Sequence, residues 1–474
     1  MPTRQYLFYA LTNSVCSKCL VKVEAKIIFK DDCVYLVKHC ATHGHQEVLI
    51  ADDIDYYKLS QEFIKPGDMP LKFNTPIKYG CPYDCGLCPD HEQHSCLTLV
   101  EVTDRCNLSC PICYADSGTE EVSQHSSQYR RHRSLEQIES MIDAVVANEG
   151  EPQIVQLSGG EPTIHPEFFK ILDIAKSKPI RHLMINTNGV RIAKDRNFCD
   201  RLSQYMPGIE VYLQFDSFEA AALEELRGAD LREVREQAIA NLNEFNISTT
   251  LVVTLKKGLN DGEIGKIIAY ALQQRCVRGV TFQPIQAAGR LEGFEHERDR
   301  YTLTEVRRSI LQQSPYFKPE DILPVPCHPD CLAMAYALKI KGKVIPLTGL
   351  FDPTTFVQIM PNSVLYEQND ELKRKIFDLF FTSHSPTSSA TSLKQLLCCL
   401  PLLPVPEGIT YENIFRVMIV QFLDPFNFDV RSVKRSCIHI VHPDGRIIPF
   451  DTFNMFYREG SAGYHLVNNR PALV

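Results

Sequence analysis

Beyond residue 96 the chain alternates short apolar runs with longer amphipathic stretches, a pattern regular enough to predict a sheet with helices between its strands. "LTLVEVT" (97–103) reads as a buried strand. Residues 134–149 predict an amphipathic helix, with Ser134 at its N-cap and Gln137 in the capping-box position. "QIVQLSGGEP" is a strand ending in a glycine turn, followed by a helix over "PEFFKILDIAK". "RHLMINTNG", "IEVYLQFDS", "ISTTLVVTL" and "GVTFQPI" predict further strands, separated by helices over "RNFCDRLSQY", 219–245 and 261–274. Six strands in alternation with helices imply a parallel sheet with right-handed crossovers. The repeat count suits an α/β fold of the partial (β/α)6, TIM-like type better than a doubly wound sheet. Function in such barrels gathers at the carboxyl ends of the strands. The cysteines of 106–113, the "SGGEP" turn, "NTNG" and "QFDS" all fall at such ends.

The flanks follow other patterns. Residues 1–75 are a small cysteine-bearing module with strand-like runs "EAKIIF" and "CVYLVKHC". Residues 76–97 are loop-like and dense in cysteine, proline and histidine, and the barrel proper is read over 98–290. The remainder, 291–474, contains a polar linker "SPTSSATS" (385–392) and ends in "CIHIVHPDGRIIPFDTFNMFYR", a hairpin with "HPDG" at its turn. It is expected to form a cysteine-bearing C-terminal module over the substrate.

Composition narrows the function classes. At 474 residues there is room for more than one core, and 44% hydrophobic with 23% charged residues is globular. A net charge of −8 with no long basic run gives no footprint for nucleic acid. The most apolar segment, "LKQLLCCLPLLPVP", is broken by prolines and too short to cross a bilayer. "MPTRQYLFYALTNSVC" has no small-residue cleavage site, so no signal peptide is expected. The reading is a cytoplasmic protein, with contact at a membrane surface left open.

The 18 cysteines change the picture most. They fall in groups at 16/19/33/40, 81/85/88/96, 106/110/113, 327/331, 398/399 and 437, with Cys199 and Cys276 alone as small core residues. Short spacings in a chain read as cytoplasmic favour metal or clusters over disulfides. In "TDRCNLSCPICYADSG", Cys106, Cys110 and Cys113 come from one loop after a strand. Three thiolates leave a structural zinc site one ligand short. They cover three corners of a cubane 4Fe–4S cluster and leave the fourth iron open for chemistry.

Cys-x-x-x-Cys-x-x-Cys after the first strand and "GGEP" after the second resemble the radical S-adenosylmethionine (SAM) superfamily. The resemblance implies that SAM chelates the open iron and is cleaved reductively to methionine and a 5′-deoxyadenosyl radical. It also implies cofactor-binding roles. Gly159 and Gly160 allow close backbone approach, and Glu161 offers an anion to the methionyl ammonium. Asn186, Asn188, Gln214 and Asp216 offer hydrogen bonds to ribose or carboxylate, each also readable as an ordinary strand-end polar residue. Ile112 stands where the superfamily often has an aromatic residue, and the adenine contact stays unassigned.

The other groups are read as metal sites with alternatives open. Cys81, Cys85, Cys88 and Cys96 supply four thiolates for an auxiliary 4Fe–4S cluster, or for zinc. Cys16, Cys19, Cys40 and His43 resemble a zinc-ribbon or rubredoxin-like knuckle for one iron or zinc, with Cys33 able to replace His43. Cys327 and Cys331 are expected to join Cys399 (or Cys398) and Cys437 in a second auxiliary cluster, or else to be buried unligated thiols. Taken whole, "CPYDCGLCPDHEQHSCLTLVEVTDRCNLSCPICYA" and "RIIPFDTFNMFYR" resemble the radical SAM tetraether lipid synthase group, related to proteins described as pterin methyltransferases. That resemblance implies coupling of unactivated lipid carbons, with modification of a small molecule such as a pterin as the alternative. A non-catalytic iron–sulfur protein is the third class. The implied partners are a lipid or other small-molecule substrate and an electron donor such as ferredoxin or flavodoxin.

Replacing any one of Cys106, Cys110 and Cys113 by Ala is expected to abolish 5′-deoxyadenosine formation from SAM while iron at the other cysteine groups is retained. Chromatography of the products with parallel metal analysis checks this; undiminished formation contradicts the assignment.

Overall fold

The computed structural model describes residues 5–119, 131–340, 342–350, 357, 362–364 and 411–468. At the N-terminus, β1 (Leu7–Val15), β2 (Lys22–Lys30), β3 (Cys33–Cys40) and β4 (Gly44–Ala51) form an antiparallel meander. Its small core is Ala25, Ile27, Phe29, Val34, Leu36 and Ala51. Asp31 and Asp32, both at positive φ, make the tight β2–β3 turn. The helix Ile54–Glu62 follows, capped by Asp53, whose carboxylate accepts from the Tyr56 amide.

The main sheet begins with β5 (Leu97–Thr103), whose following loop contains the two-residue β6 (Ile112–Cys113). Next come β7 (Ile154–Gly159), β8 (His182–Thr187), β9 (Ile209–Gln214), β10 (Thr249–Leu255) and β11 (Val277–Pro284). The short β12 (Arg290–Leu291) returns to pair with β6. β13 (Leu323–Pro324), β14 (Leu332–Ile340), β15 (Lys343–Pro346), β16 (Ile414–Val420), β17 (Ile438–Val441) and β18 (Ile447–Pro449) complete the strands. The order is β18-β17-β5-β7-β8-β9-β10-β11-β16-β14-β13, with β15 also on β14, and among the described residues the sheet does not close.

The strands read from the periodicity, β5 and β7 to β11, are mutually parallel. The sequence pattern stops there, but the parallel sheet does not. β17 adds in parallel to β5 and β16 in parallel to β11. Both come from the C-terminal region, far from their partners in sequence, so no local alternation announces them. "HPDG" does make the β17–β18 turn, where the Gly445 amide donates to the His442 carbonyl at 2.9 Å with Gly445 at φ 88°.

Helices cover the outer face. Leu135–Glu149 has the complete Ser134–Gln137 capping box and buries Ile138, Met141, Ile142 and Val145. Each such side chain contributes about 1.5–3 kcal/mol in apolar burial. The stretch 219–245 is not one helix, as the sequence suggests, but two, Ala220–Arg227 and Arg232–Glu244. Gly228 breaks it in a left-handed conformation, φ 77°, and a Cβ there would approach the Ser109 carbonyl to 3.3 Å. The break lets the cysteine loop pack against the helix end.

Inside the half-barrel, β16 is locked by a buried charge network. Arg416 Nη2 donates to Glu210 Oε1 and Oε2 at 2.7 and 3.0 Å, His182 Nε2 lies 3.0 Å from Glu210 Oε2, and Thr250 donates to the same carboxylate. Burial pushes the Glu210 carboxyl up, but Arg416, His182 and Thr250 together hold it far below the usual carboxylate range. A depressed folded-state pKa means this stabilisation is complete above the unfolded carboxylate pKa and is lost as pH falls through the folded value. Glu210→Gln is therefore expected to destabilise the fold at neutral pH by about 3–5 kcal/mol and to flatten the acid limb of the stability–pH curve. Denaturant melts across pH check both; an unchanged acid limb contradicts the role.

Candidate active site and metal centres

The loop after β5 carries Cys106, Cys110 and Cys113, and it is held by backbone on two sides. From β7, the Gly160 amide donates to the Thr103 carbonyl at 2.8 Å and the Glu161 amide to the Arg105 carbonyl at 2.9 Å. A Cβ on Gly159 would lie 2.2 Å from the Thr103 oxygen, and one on Gly160 would lie 2.0 Å from the Arg105 oxygen. The glycines thus admit the cysteine loop itself, besides lining the cavity where a cofactor would sit. From the other side, Gly289 (φ 66°) lies where a Cβ would be 2.3 Å from the Cys113 carbonyl. Arg290 pairs with Cys113 through the backbone, and its guanidinium donates to the carbonyls of Cys110 and Ser117, each at 2.7 Å. Ile112 packs with Leu226 and Ile285 beneath.

Glu161 is buried and busy. Its Oε1 accepts from the Thr163 amide (3.1 Å), the Thr163 hydroxyl (2.5 Å) and the Thr187 hydroxyl (2.8 Å), and Oε2 accepts from the Asn188 amide at 2.8 Å. The carboxylate ties the "GGEP" turn to the "NTNG" turn and keeps one acceptor position on Oε2. Burial raises its pKa. Asn188 bridges onward, donating to Asn107 Oδ1 at 2.6 Å with Cys106 Sγ 3.9 Å away. Asn186 donates to Ser158 at 3.3 Å and accepts from Gln214 at 2.8 Å.

Asp216 stands differently from its expected place at a ligand. It is fully buried behind Arg227, accepting from Nε at 2.7 Å and Nη2 at 2.6 Å, with Arg235 Nη2 3.6 Å away. Burial pushes its carboxyl up, but Arg227 and then Arg235 hold it below the ordinary range. The group it presents to the cavity is Arg227, which also donates to Gln214 and Thr254. Sequence reasoning missed Arg227 because it read straight through Gly228; the glycine in a leucine-studded helix was the available signal. Arg290 and Gly289, in a loop without periodicity, carried none.

The remaining cysteines regroup in part. Cys16, Cys19, Cys40 and His43 present ligand atoms within 4.8 Å of one another. The Gln46 amide (3.2 Å) and the Lys18 backbone amide (3.4 Å) donate to Cys16 Sγ. This donor set fits one tetrahedral ion. Cys33 lies outside it, paired with Lys30 where β3 begins. Cys85 lies against the C-terminal module, with Thr452 donating to its Sγ at 3.0 Å and its amide donating to Tyr457 at 2.7 Å, while the sulfurs of Cys81, Cys85 and Cys88 do not all come within 4.8 Å of one another.

Cys96 does not belong with them. Its sulfur lies within 4.8 Å of those of Cys327 and Cys437. The reason is register: β17 pairs Ile438 with Leu97, so the residues just before them, Cys437 and Cys96, stand side by side. Cys331 lies on the same turn as Cys327, its sulfur 3.7 Å from Ser432 Oγ and outside that three-sulfur group. Cys398 and Cys399 lie outside the described residues. The thiolate-rich sets fit auxiliary clusters.

Cys106, Cys110 and Cys113, with Gly159, Gly160, Glu161 and Arg227, border one cavity of about 200 Å³, running from the cysteine loop down the inner face of the sheet; the other described cysteine groups lie outside its wall. Its wall mixes Leu99, Met184, Val420 and Phe422 with Gln156, Tyr212, Gln214, Gln283 and Arg416. Phe450 of the C-terminal module stacks on Phe422 at 4.0 Å and closes one side.

Residues 100–271 match the radical SAM superfamily model, and residues 8–52 match the HMPTM N-terminal zinc ribbon domain. The 7,8-dihydro-6-hydroxymethylpterin dimethyltransferase of Methanocaldococcus jannaschii is 30% identical, over 94% of this chain and 94% of that protein. A GTP 3′,8-cyclase of Haemophilus influenzae is 27% identical over 46% of this chain and 60% of its own length. Among solved structures, Streptococcus suis SuiB bound to S-adenosylmethionine aligns at 16% identity over 46% of each chain, with a TM-score of 0.37. The chain belongs to the radical SAM superfamily, in the family of the 7,8-dihydro-6-hydroxymethylpterin dimethyltransferase.

Proposed function

We propose that this radical SAM enzyme modifies a pterin-class heterocycle, most simply by methylation. One observation carries the reading. The cavity under the cysteine loop is compact, and its inner wall is studded with neutral amides and hydroxyls at Gln156, Tyr212, Thr281 and Gln283. Such a wall suits a flat, hydrogen-bonding ring better than an alkyl chain, which would leave the Gln156 amide without a partner. The name carried by the full-length relative points the same way. Coupling of lipid chains, implied by the tetraether synthase resemblance, would call for a long apolar channel, and this wall does not favour it. Among the described residues no helix is long and apolar enough to cross a membrane.

In this reading Cys106, Cys110 and Cys113 hold the 4Fe–4S cluster that, when bound, supplies the electron for reductive SAM cleavage. The chain's own residues do the positioning. The Gly159–Gly160 turn and Arg290 hold the cysteine loop so that its three sulfurs face the cavity. Arg227, Asn186 and Gln214 form the polar rim on the β8–β9 side, and the open acceptor of Glu161 faces the same space. Cys96, Cys327 and Cys437, with Cys331 on the adjoining turn, and Cys81, Cys85 and Cys88 hold auxiliary clusters. The Cys16–Cys19–Cys40–His43 set holds one iron or zinc ion. Electrons come from a small carrier of the ferredoxin or flavodoxin type.

Anaerobically reconstituted enzyme with a low-potential reductant such as dithionite, SAM, a methylene or methyl donor and 7,8-dihydro-6-hydroxymethylpterin is expected to yield a methylated pterin by mass spectrometry. The same mixture with archaeal or bacterial lipids is expected to yield no coupled chains. Coupled lipid with unaltered pterin would overturn the reading.

A further inference from the structure

One side chain of the cavity wall has no part in the hydrogen-bond network described above. Gln156 sits in the middle of β7, in register with Leu99 on β5 and Met184 on β8. It lines the cavity and is 4% exposed, yet its carboxamide has no hydrogen-bond partner among the described residues. The neighbouring amides are employed: Asn186 by Ser158 and Gln214, Gln214 by Arg227, and Gln283 by the Tyr212 hydroxyl at 3.0 Å. The fold gives no reason for a glutamine at 156. Its surroundings, Leu99, Ile154 and Met184, would accept an apolar side chain of the same size, and the amide opens onto the cavity, where a bound group can meet it.

A primary carboxamide presents an acceptor and a donor side by side in one plane. Its complement is a ring edge with an N–H beside a C=O, the lactam of a pyrimidinone ring. The two arginines of the wall are already paired, Arg227 with Asp216 and Arg416 with Glu210. A neutral flat ring therefore fits between Tyr212 and Met184 without an unpaired charge. The depth also fits. Gln156 lies three residues before Gly159, which touches the cysteine loop, a distance of about 10 Å along the strand. A bicyclic ring read at its lactam edge from below would turn its other ring toward the cysteines.

We propose that Gln156 is the specificity residue that reads the lactam edge of the substrate ring. The assignment rests on the pterin reading above and fixes which end of the ring lies deep.

The test is a comparison of two ligands on the cluster-loaded full chain by titration calorimetry: 7,8-dihydro-6-hydroxymethylpterin and its 4-O-methyl ether, which lacks the lactam N–H and carbonyl. Wild type is expected to prefer the lactam by about tenfold or more. In Gln156→Met, which keeps the size and shape of the side chain, that preference is expected to collapse to about twofold or less. Gln156→Leu is the second variant. The ratio is the readout because a general disturbance of the cavity weakens both ligands together. A preference kept in both variants, or absent from wild type, overturns the assignment and leaves the pterin reading standing. Wild type that binds neither ring overturns both.

Discussion

Much of this structure hangs on one strand pairing, β5 with β17. β5 ends in the cysteine loop, and on its free side it accepts a strand that arrives more than three hundred residues later. That contact brings Cys437 beside Cys96 and carries the β17–β18 hairpin to the Cys85 segment, where the Leu87 amide donates to the Ile447 carbonyl at 3.0 Å. It also sets Phe450 against Phe422 at the cavity's side. At the opposite edge, Arg416 of β16 is bound to Glu210 inside the sheet. The two strands come from the same C-terminal region and flank the barrel strands on both sides. The C-terminal third is thus part of the catalytic half-barrel as much as a cover for it.

Around the cysteine loop, function and folding make the same demand. The loop brings three cysteines to the wall of one cavity, and its backbone is gripped where side chains are absent, at Gly159, Gly160 and Gly289. Replacing any of these by alanine would place a methyl group inside a carbonyl oxygen's contact radius. The "GGEP" signature is thereby explained in mechanical terms: two glycines admit the loop, and the glutamate fastens the turn to Thr163, Thr187 and Asn188.

What the sequence discloses is what is local. The strands β5 and β7 to β11, the Ser134 cap and the grouping of Cys16, Cys19, Cys40 and His43 all follow from short-range period or spacing. The places of β16 and β17 in the sheet are hidden for the opposite reason. "IFRVMIV" and "IHIV" are plausible strands anywhere, and nothing nearby names their partners. The misplacement of Cys96 follows from the same gap, since spacing grouped it with Cys88 while strand register grouped it with Cys437. Asp216 ends a strand, a place that suits a ligand contact or an ordinary satisfied polar residue, and the structure gives it the second role. Its partner Arg227 came into view only once Gly228 had turned the helix.

The central claim is that SAM cleavage and a pterin ring share the cavity beneath Cys106, Cys110 and Cys113. The rate of 5′-deoxyadenosine formation by the reduced, cluster-loaded enzyme tests it most directly, measured with 7,8-dihydro-6-hydroxymethylpterin deuterated on its carbons, with lipid, and with neither. The account predicts that the pterin, and not lipid, raises that rate. A rate indifferent to the pterin and raised by lipid would contradict it.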